Sequence, residues 1–187
     1  MKRRIIWGVV LVVVLTLIIL ILTNHQEVQT MEKNLLVTSP AFEEGGHIPK
    51  RYTGEAEDYS PPLVLGELEE DAVSIAIYMQ DLDTPLGVIS HWVLWNLPVD
   101  QKIPENIAKS KTLPDLGNAR QGRNFLRRIG YMGPKPPWGT HRYVFHVYVL
   151  DTALEIKEGS GGKKMLKAMD GHIIQYGTIT GLYSASK

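Results

Sequence analysis

The chain of 187 residues carries 20 Lys and Arg residues against 20 Asp and Glu residues, and it contains no cysteine. Three of the basic residues stand at positions 2–4, so the rest of the chain is slightly acidic, which disfavours nucleic-acid binding because phosphate neutralisation needs a basic patch. The absence of cysteine excludes a disulfide framework, a thiolate zinc site and a cysteine nucleophile.

Residues 5–22, IIWGVVLVVVLTLIILIL, form an uncharged apolar stretch directly after the basic residues. A helix of this length spans ~27 Å, close to the hydrocarbon thickness of a bilayer. A cleaved secretory signal is the alternative, but no small-x-small cleavage pattern follows the stretch. We therefore predict a transmembrane signal anchor with residues 1–4 in the cytoplasm, residues 23–34 as a polar tether, and residues 35–187 as an extracytoplasmic domain.

Short runs of β-branched and aromatic residues dominate the rest of the chain, and Gly and Pro residues separate them. This pattern is typical of a mostly β domain with strands joined by turns. A glycine-rich segment precedes one amphipathic run that predicts a short helix. The predicted strands are residues 72–80, 89–97, 142–150 and 178–183, and the predicted helix is residues 163–170.

Polar side chains stand at the ends of three predicted strands. Asp81 and Asp83 follow the first, His91 begins the second, and His141 and Tyr143 begin the third. Because strand side chains alternate, His141 and Tyr143 share a face. The aspartates could instead form a turn before Pro85, and the histidines could be core residues. The residues alone leave both interpretations open.

The same alternation predicts that His91 shares a face with Val93 and Trp95. The loop before the third strand, GPKPPWGTHRY at residues 133–143, contains three prolines that cannot donate a backbone hydrogen bond. We interpret it as a rigid wall that positions His141 at the start of its strand.

Three separated motifs, DLDTP…HWVLWNLP, GPKPPWGTHRYVFHVYVLD and GHIIQYGTITGLYS, resemble the phosphatidylethanolamine-binding protein family in order and spacing. The likeness is closest to its bacterial and archaeal branch, the Raf-kinase-inhibitor-like proteins. Residues 37–63 resemble the opening segment of that branch. It covers nearly all of residues 35–187. It implies an antiparallel β-sandwich with a few short helices and a small pocket for phosphate or a phosphorylated head group.

The resemblance also assigns the ligand-binding residues of this chain, by matching the family's Asp-x-Asp pair, its first His, its Gly-Pro and its His-x-Tyr. These are Asp81, Asp83, His91, Gly133, Pro134, His141 and Tyr143. Three positions depart from the family. Leu82 replaces the usual proline between the aspartates, which leaves that backbone less constrained. Gly54 and Lys135 stand where the branch often has cysteine, and Lys135 would either add a cation to the pocket or be solvated.

The resemblance implies a binding protein with no enzymatic activity, no cofactor and no metal, and the predicted anchor at residues 5–22 would tether it to the membrane. Its expected partners are a phosphate-type or phospholipid head-group anion, an envelope protein and a second copy in a homodimer. If the histidines provide charge, the anion should bind more tightly at mildly acidic pH. Two alternatives remain: a protease- or kinase-inhibitor-type interaction protein without a small ligand, and a metal-assisted hydrolase that uses the Asp and His residues.

Overall fold

The computed structural model describes residues 33–185, which form nine strands and one α-helix. The strands are β1 (Val37–Thr38), β2 (Leu63–Leu65), β3 (Ser74–Asp81), β4 (Ile89–Leu97), β5 (Lys102–Ile103), β6 (Thr112–Leu113), β7 (Ala119–Gln121), β8 (Thr140–Leu150) and β9 (Ile173–Ser184). The helix α1 is Gly162–Met169, and two short 3-10 turns lie at Lys50–Tyr52 and Pro114–Leu116.

Two antiparallel sheets build the domain. The larger has the strand order β6-β7-β4-β3-β8-β9, and the smaller has the order β1-β2-β5. The predictions of a mostly β fold, of its four long strands and of the short helix are therefore confirmed. The last strand begins at Ile173 and not at residue 178, because its pairing with β8 continues across Gly177.

Each face of the six-stranded sheet covers a separate core. On one face, Ile77 and Phe145 pack with Leu63 of the smaller sheet in the main core. On the opposite face, alternate side chains of the same strands pack against Met165 and Met169 of α1. The spacing of these two methionines places both on the buried side of the helix. The sheet is therefore the middle layer of the domain.

A β-bulge interrupts the pairing of β3 with β4. Met79 pairs with Trp92 and Gln80 pairs with Ser90, so His91 is an extra residue without an opposite partner on β3. A bulge changes the face to which the following side chains point. The His91 ring accordingly packs on the Tyr143 ring, whereas Val93 and Trp95 pack in the core under α1. The prediction that His91 shares a face with Val93 and Trp95 was wrong for this reason.

Strand directions position the functional region. Because β3 runs antiparallel to both β4 and β8, its last residue, Asp81, lies opposite Ile89 near the start of β4 and opposite Tyr143 near the start of β8. Polar residues at these three strand ends therefore converge at one edge of the sheet.

The predicted transmembrane anchor at residues 5–22 lies outside the described residues. Within residues 33–185, no helix is long and apolar enough to cross a bilayer.

Candidate functional site

A cavity of about 610 Å³ opens where the end of β3 meets the starts of β4 and β8, a size typical of small-molecule sites. Five of the seven predicted site residues line it: Asp81, His91, Gly133, His141 and Tyr143. The other two, Asp83 and Pro134, are not among the residues that line it.

Asp81 and His141 form a buried pair at the floor of the cavity. The Nδ1–H group of His141 donates to Oδ2 of Asp81 over 2.8 Å, and both side chains are almost completely buried. The other carboxylate oxygen, Oδ1, accepts the backbone N–H of Asp83 over 2.9 Å. The carboxylate therefore fixes the imidazole orientation and places the proton on Nδ1, which leaves Nε2 of His141 for a ligand.

His91 completes the floor from the bulge in β4. Its Nδ1–H donates to the carbonyl oxygen of Met132 over 2.7 Å. Burial lowers the pKa of His91 below its usual value, although the hydrogen bond to Met132 and the charge of Asp81 oppose that shift. At neutral pH the ring is uncharged, and its Nε2 atom is a hydrogen-bond acceptor.

Tyr143 presents a buried hydroxyl group beside these rings. Its ring meets that of His91 at 78° with the centroids 5.1 Å apart. Burial raises the pKa of Tyr143 well above its usual value, and the negative charge of Asp81 raises it further. The hydroxyl therefore stays protonated. The Asp81 carboxylate and the backbone of Lys135 lie near the hydroxyl, but among residues 33–185 neither they nor any other group completes a well-formed hydrogen bond with it, so it is a donor available to a ligand or to water.

Asp83 points away from the cavity toward Arg142. Its Oδ2 atom accepts from the backbone N–H and from Nε of Arg142 over 2.8 and 2.9 Å, and its Oδ1 accepts from Nη2 over 2.6 Å. Arg142 lowers the pKa of Asp83 to about 2. Leu82 strengthens the same junction, because its N–H donates to the carbonyl of Arg142 over 3.1 Å, a bond that proline could not make.

The Gly133–Pro134 loop is fastened to the segment at Thr53 and Gly54. The carbonyl of Pro134 accepts the N–H of Gly54 over 3.0 Å. A Cβ atom on Gly133 would lie 2.6 Å from Gly54 N and from Thr53 C, which is too close for any side chain. This contact explains why glycine stands at position 133. Lys135 follows on the exposed lip of the cavity.

Asp58 lines the cavity but was not among the predicted residues. It adopts a left-handed backbone conformation, with φ 57°. Its Oδ1 accepts the N–H of Gly133 over 2.7 Å, and its other oxygen pairs with Lys109. Left-handed Asp residues are common in turns, so the sequence gives a signal for the turn, not for the cavity.

Apolar loop side chains form the outer wall, and sequence reasoning missed these as well. They are Leu86, Phe125, Leu126, Met132 and Trp138, with prolines between them. The cavity thus combines a polar floor with apolar walls. Among the described residues, no group of three or more His, Asp or Glu side chains is arranged to hold a metal ion.

Comparison with known proteins identifies the fold. The sequence model of the family described as phosphatidylethanolamine-binding protein matches residues 38–184. A UPF0098 protein of Archaeoglobus fulgidus is 47% identical over 86% of this chain, and the match spans 55%, about half, of that relative's length. A UPF0098 protein of Pyrococcus horikoshii is 44% identical over 81% of this chain and 78% of its own length.

Two solved structures share the architecture. A putative phosphatidylethanolamine-binding protein homologue from Chlamydia trachomatis superposes with a TM-score of 0.74 at 35% identity, covering 83% of this chain and 100% of that one. Escherichia coli YbcL, described as a new member of the mammalian PEBP family, gives a TM-score of 0.74 at 26% identity, covering 81% of this chain and 99% of that one. By sequence and by fold, the chain belongs to the phosphatidylethanolamine-binding protein family.

Proposed function

We propose that this protein is a binding protein that holds a small phosphorylated ligand, a phosphate monoester or a phosphorylated head group, in the cavity above Asp81. The observation that carries the proposal is the buried Tyr143 hydroxyl without a protein partner. A buried donor left unpaired costs about 1–3 kcal/mol, and an anionic ligand oxygen would offset that cost.

The remaining polar groups suit a singly protonated phosphate. Tyr143 donates to a charged phosphate oxygen, and Nε2 of the neutral His91 accepts the P–OH proton. The Nε2 atom of His141, which the pair with Asp81 leaves unused, offers a further hydrogen-bonding position for the ligand. Lys135 and Arg128 lie at the exposed mouth, where they favour negative charge.

This arrangement predicts tighter binding at mildly acidic pH for a phosphate monoester. The second pKa of such a phosphate is about 6. Below that value the P–OH proton is present and pairs with Nε2 of His91. Above it the ligand loses the proton, so its oxygen and Nε2 of His91 are two hydrogen-bond acceptors that repel each other.

The test is calorimetric titration of the full-length protein with phosphoethanolamine and with inorganic phosphate from pH 5 to 8. Tyr143→Phe should weaken binding by about tenfold to a hundredfold, since a hydrogen bond to a charged group contributes about 1.5–3 kcal/mol. Tyr148→Phe is the matched control, because Tyr148 is buried on the opposite face of the same sheet. Equal affinities for the two variants, or no saturable binding by the wild type, would contradict the proposal.

The proposed role is capture without turnover. Phosphoethanolamine incubated with the protein should remain intact, as measured by phosphorus NMR. Release of inorganic phosphate, reduced in the His91→Gln variant, would instead support the hydrolase alternative.

We further propose that residues 5–22 anchor the protein in the cell membrane, with the binding domain on the extracytoplasmic side. The apolar stretch and the basic residues before it support this orientation. The full chain should resist alkaline carbonate extraction, and protease added outside spheroplasts should digest the domain. Val13→Arg should reduce insertion, since a central arginine costs about 2.5–3.5 kcal/mol. Complete carbonate extraction of the wild type would contradict the anchor.

A further inference from the structure

Exposed apolar side chains concentrate around the mouth of the cavity. Within residues 33–185, five of the nine exposed large apolar side chains line this cavity or the neighbouring groove, with 46 to 77% of each exposed. They come from two loops, the β3–β4 loop and the long β7–β8 loop. We call these five the rim: Leu86, Val88, Phe125, Leu126 and Trp138.

Cations accompany the rim. Arg128 and Lys135 line the cavity beside it, and Lys163 and Lys164 line the neighbouring groove. All four are exposed. We call them the rim cations.

The carboxylates that line the cavity and the groove do not neutralise the rim cations. Of the described residues that line the cavity or the groove, Asp58 and Asp81 are the acidic ones. Asp58 pairs with Lys109, and Asp81 pairs with His141. The surface around the mouth therefore combines apolar side chains with net positive charge.

We propose that the rim and the rim cations form a docking surface for an anionic lipid bilayer. Apolar side chains flanked by Lys and Arg are the combination that binds at the boundary between head groups and acyl chains. Trp138, the largest side chain of the rim, is of the residue type that is enriched at that boundary. Docked in this way, the cavity opens onto the head groups, so a lipid head group reaches the floor directly from the bilayer.

Charge decides between a bilayer and a protein as the occupant. Lysine is depleted in the cores of protein–protein interfaces, because its strongly hydrated ammonium group is costly to bury. Three of the four rim cations are lysines. At a bilayer they remain hydrated among anionic head groups while the rim enters the apolar layer. Docking requires the rim and not an occupied cavity, so it goes beyond the proposed ligand binding and can be tested separately.

The test uses the fluorescence of Trp138 in the full-length protein. The chain has four tryptophans, of which Trp92 and Trp95 are completely buried and Trp7 lies in the predicted anchor. A Trp7→Phe protein in nanodiscs that contain phosphatidylglycerol and brominated phosphatidylcholine therefore reports on Trp138. We expect quenching and a shift to shorter wavelength, both absent when Trp138 is also changed to Phe.

Matched charge reversals test the electrostatic contribution. Lys135→Glu should lower the ratio of docked to undocked protein by about fivefold or more. One basic residue near an anionic surface raises the binding constant by about that factor, and the glutamate adds repulsion. Lys102→Glu, on the exposed side of β5 in the smaller sheet, should leave quenching unchanged. Trp138 should still be quenched in Tyr143→Phe, whose binding of soluble phosphoethanolamine is weakened, so loss of ligand binding and loss of docking can be told apart. If Trp138 stays unquenched in anionic nanodiscs, the docking proposal is overturned in favour of a protein partner. If quenching is as strong in uncharged nanodiscs as in anionic ones, the role of the rim cations is overturned.

Discussion

The Tyr131 hydroxyl donates to the backbone carbonyl oxygen of Tyr52 over 2.7 Å, whereas the equally buried Tyr143 hydroxyl has no partner among the described residues. Removing each hydroxyl should therefore have different effects on stability. Tyr131→Phe should lower the free energy of unfolding by about 1–3 kcal/mol, because it breaks a bond and leaves a buried carbonyl unpaired. Tyr143→Phe should leave it unchanged or raise it, because it removes a buried hydroxyl that has no partner to lose.

Urea denaturation of both variants, without ligand, measures the difference. If Tyr143→Phe destabilises the protein as much as Tyr131→Phe, then the Tyr143 hydroxyl already has a firmly bound partner such as a water molecule.

The two aspartates of the DLD motif should also respond differently to loss of charge. Asp81→Asn removes the charge that a buried imidazole pairs with, so we expect a loss of about 1–3 kcal/mol in the free energy of unfolding. Asp83→Asn weakens a solvent-exposed pair with Arg142, so its effect at pH 7 should be small. Thermal unfolding of the two isosteric variants, in parallel, makes the comparison. Equal losses would mean that the outer pair with Arg142 is as important as the buried pair.

Stability should fall as the pH decreases from about 7. Burial lowers the pKa of His91, and it lowers the pKa of His146 to about 4. Below the unfolded value of about 6.5 the unfolded chain takes up protons that the folded protein does not, so each histidine lowers the free energy of unfolding by up to about 1.4 kcal/mol per pH unit. His146 keeps this effect down to about pH 4. Asp83, with its pKa of about 2, contributes stability that is lost only as the pH falls from about 3.8 toward 2.

Denaturant titrations from pH 7.5 to 4.5 measure this slope. His146→Gln should flatten the profile and leave the contribution of His91. Stability that stays constant between pH 7.5 and 4.5 in the wild type would rule out two histidines buried in the neutral form.

The close approach of the Gly133 loop to Thr53 and Gly54 predicts a pair of opposite outcomes. In Gly133→Ala the new methyl group would meet backbone atoms at 2.6 Å, so the loop must move, at a cost of about 1–3 kcal/mol or more, and ligand binding should weaken. In Gly54→Ala the nearest atoms would be 3.4 Å away, an ordinary contact. Chemical denaturation of both variants tests the contact, and an unchanged stability of Gly133→Ala would contradict it.

The long elements of the fold could be predicted because each has its own pattern. β3, β4 and β8 are continuous β-branched and aromatic runs, and α1 repeats its buried methionines at helical spacing. The two- and three-residue strands could not be predicted, since so short a segment shows no alternation. β9 was predicted too short for a physical reason. A Cβ atom on Gly177 would lie 2.1 Å from the Leu35 carbonyl oxygen. Glycine therefore stands at position 177 because the chain at Leu35 passes close over β9 there, and not because a strand begins after it.

The candidate site was predictable where strand direction alone decides the position. Asp81, His141 and Tyr143 follow from the ends of antiparallel neighbours. The orientation of His91 depends on the bulge in β4, and that of the Asp83 carboxylate depends on its ion pair with Arg142. Asp58 reaches the cavity through a loop that only tertiary contacts position. These features depend on residues distant in sequence, which neither periodicity nor spacing reveals.

The cavity draws its walls from residue 54 through residue 143, so it comes into existence only after β8 has paired with β3. A partly folded chain has nothing for a ligand to bind. A ligand bound there would therefore stabilise the native state over every state in which β8 is unpaired from β3, so it should slow any unfolding that begins with the loss of this pairing. Occupancy of the cavity would govern how long the domain stays folded.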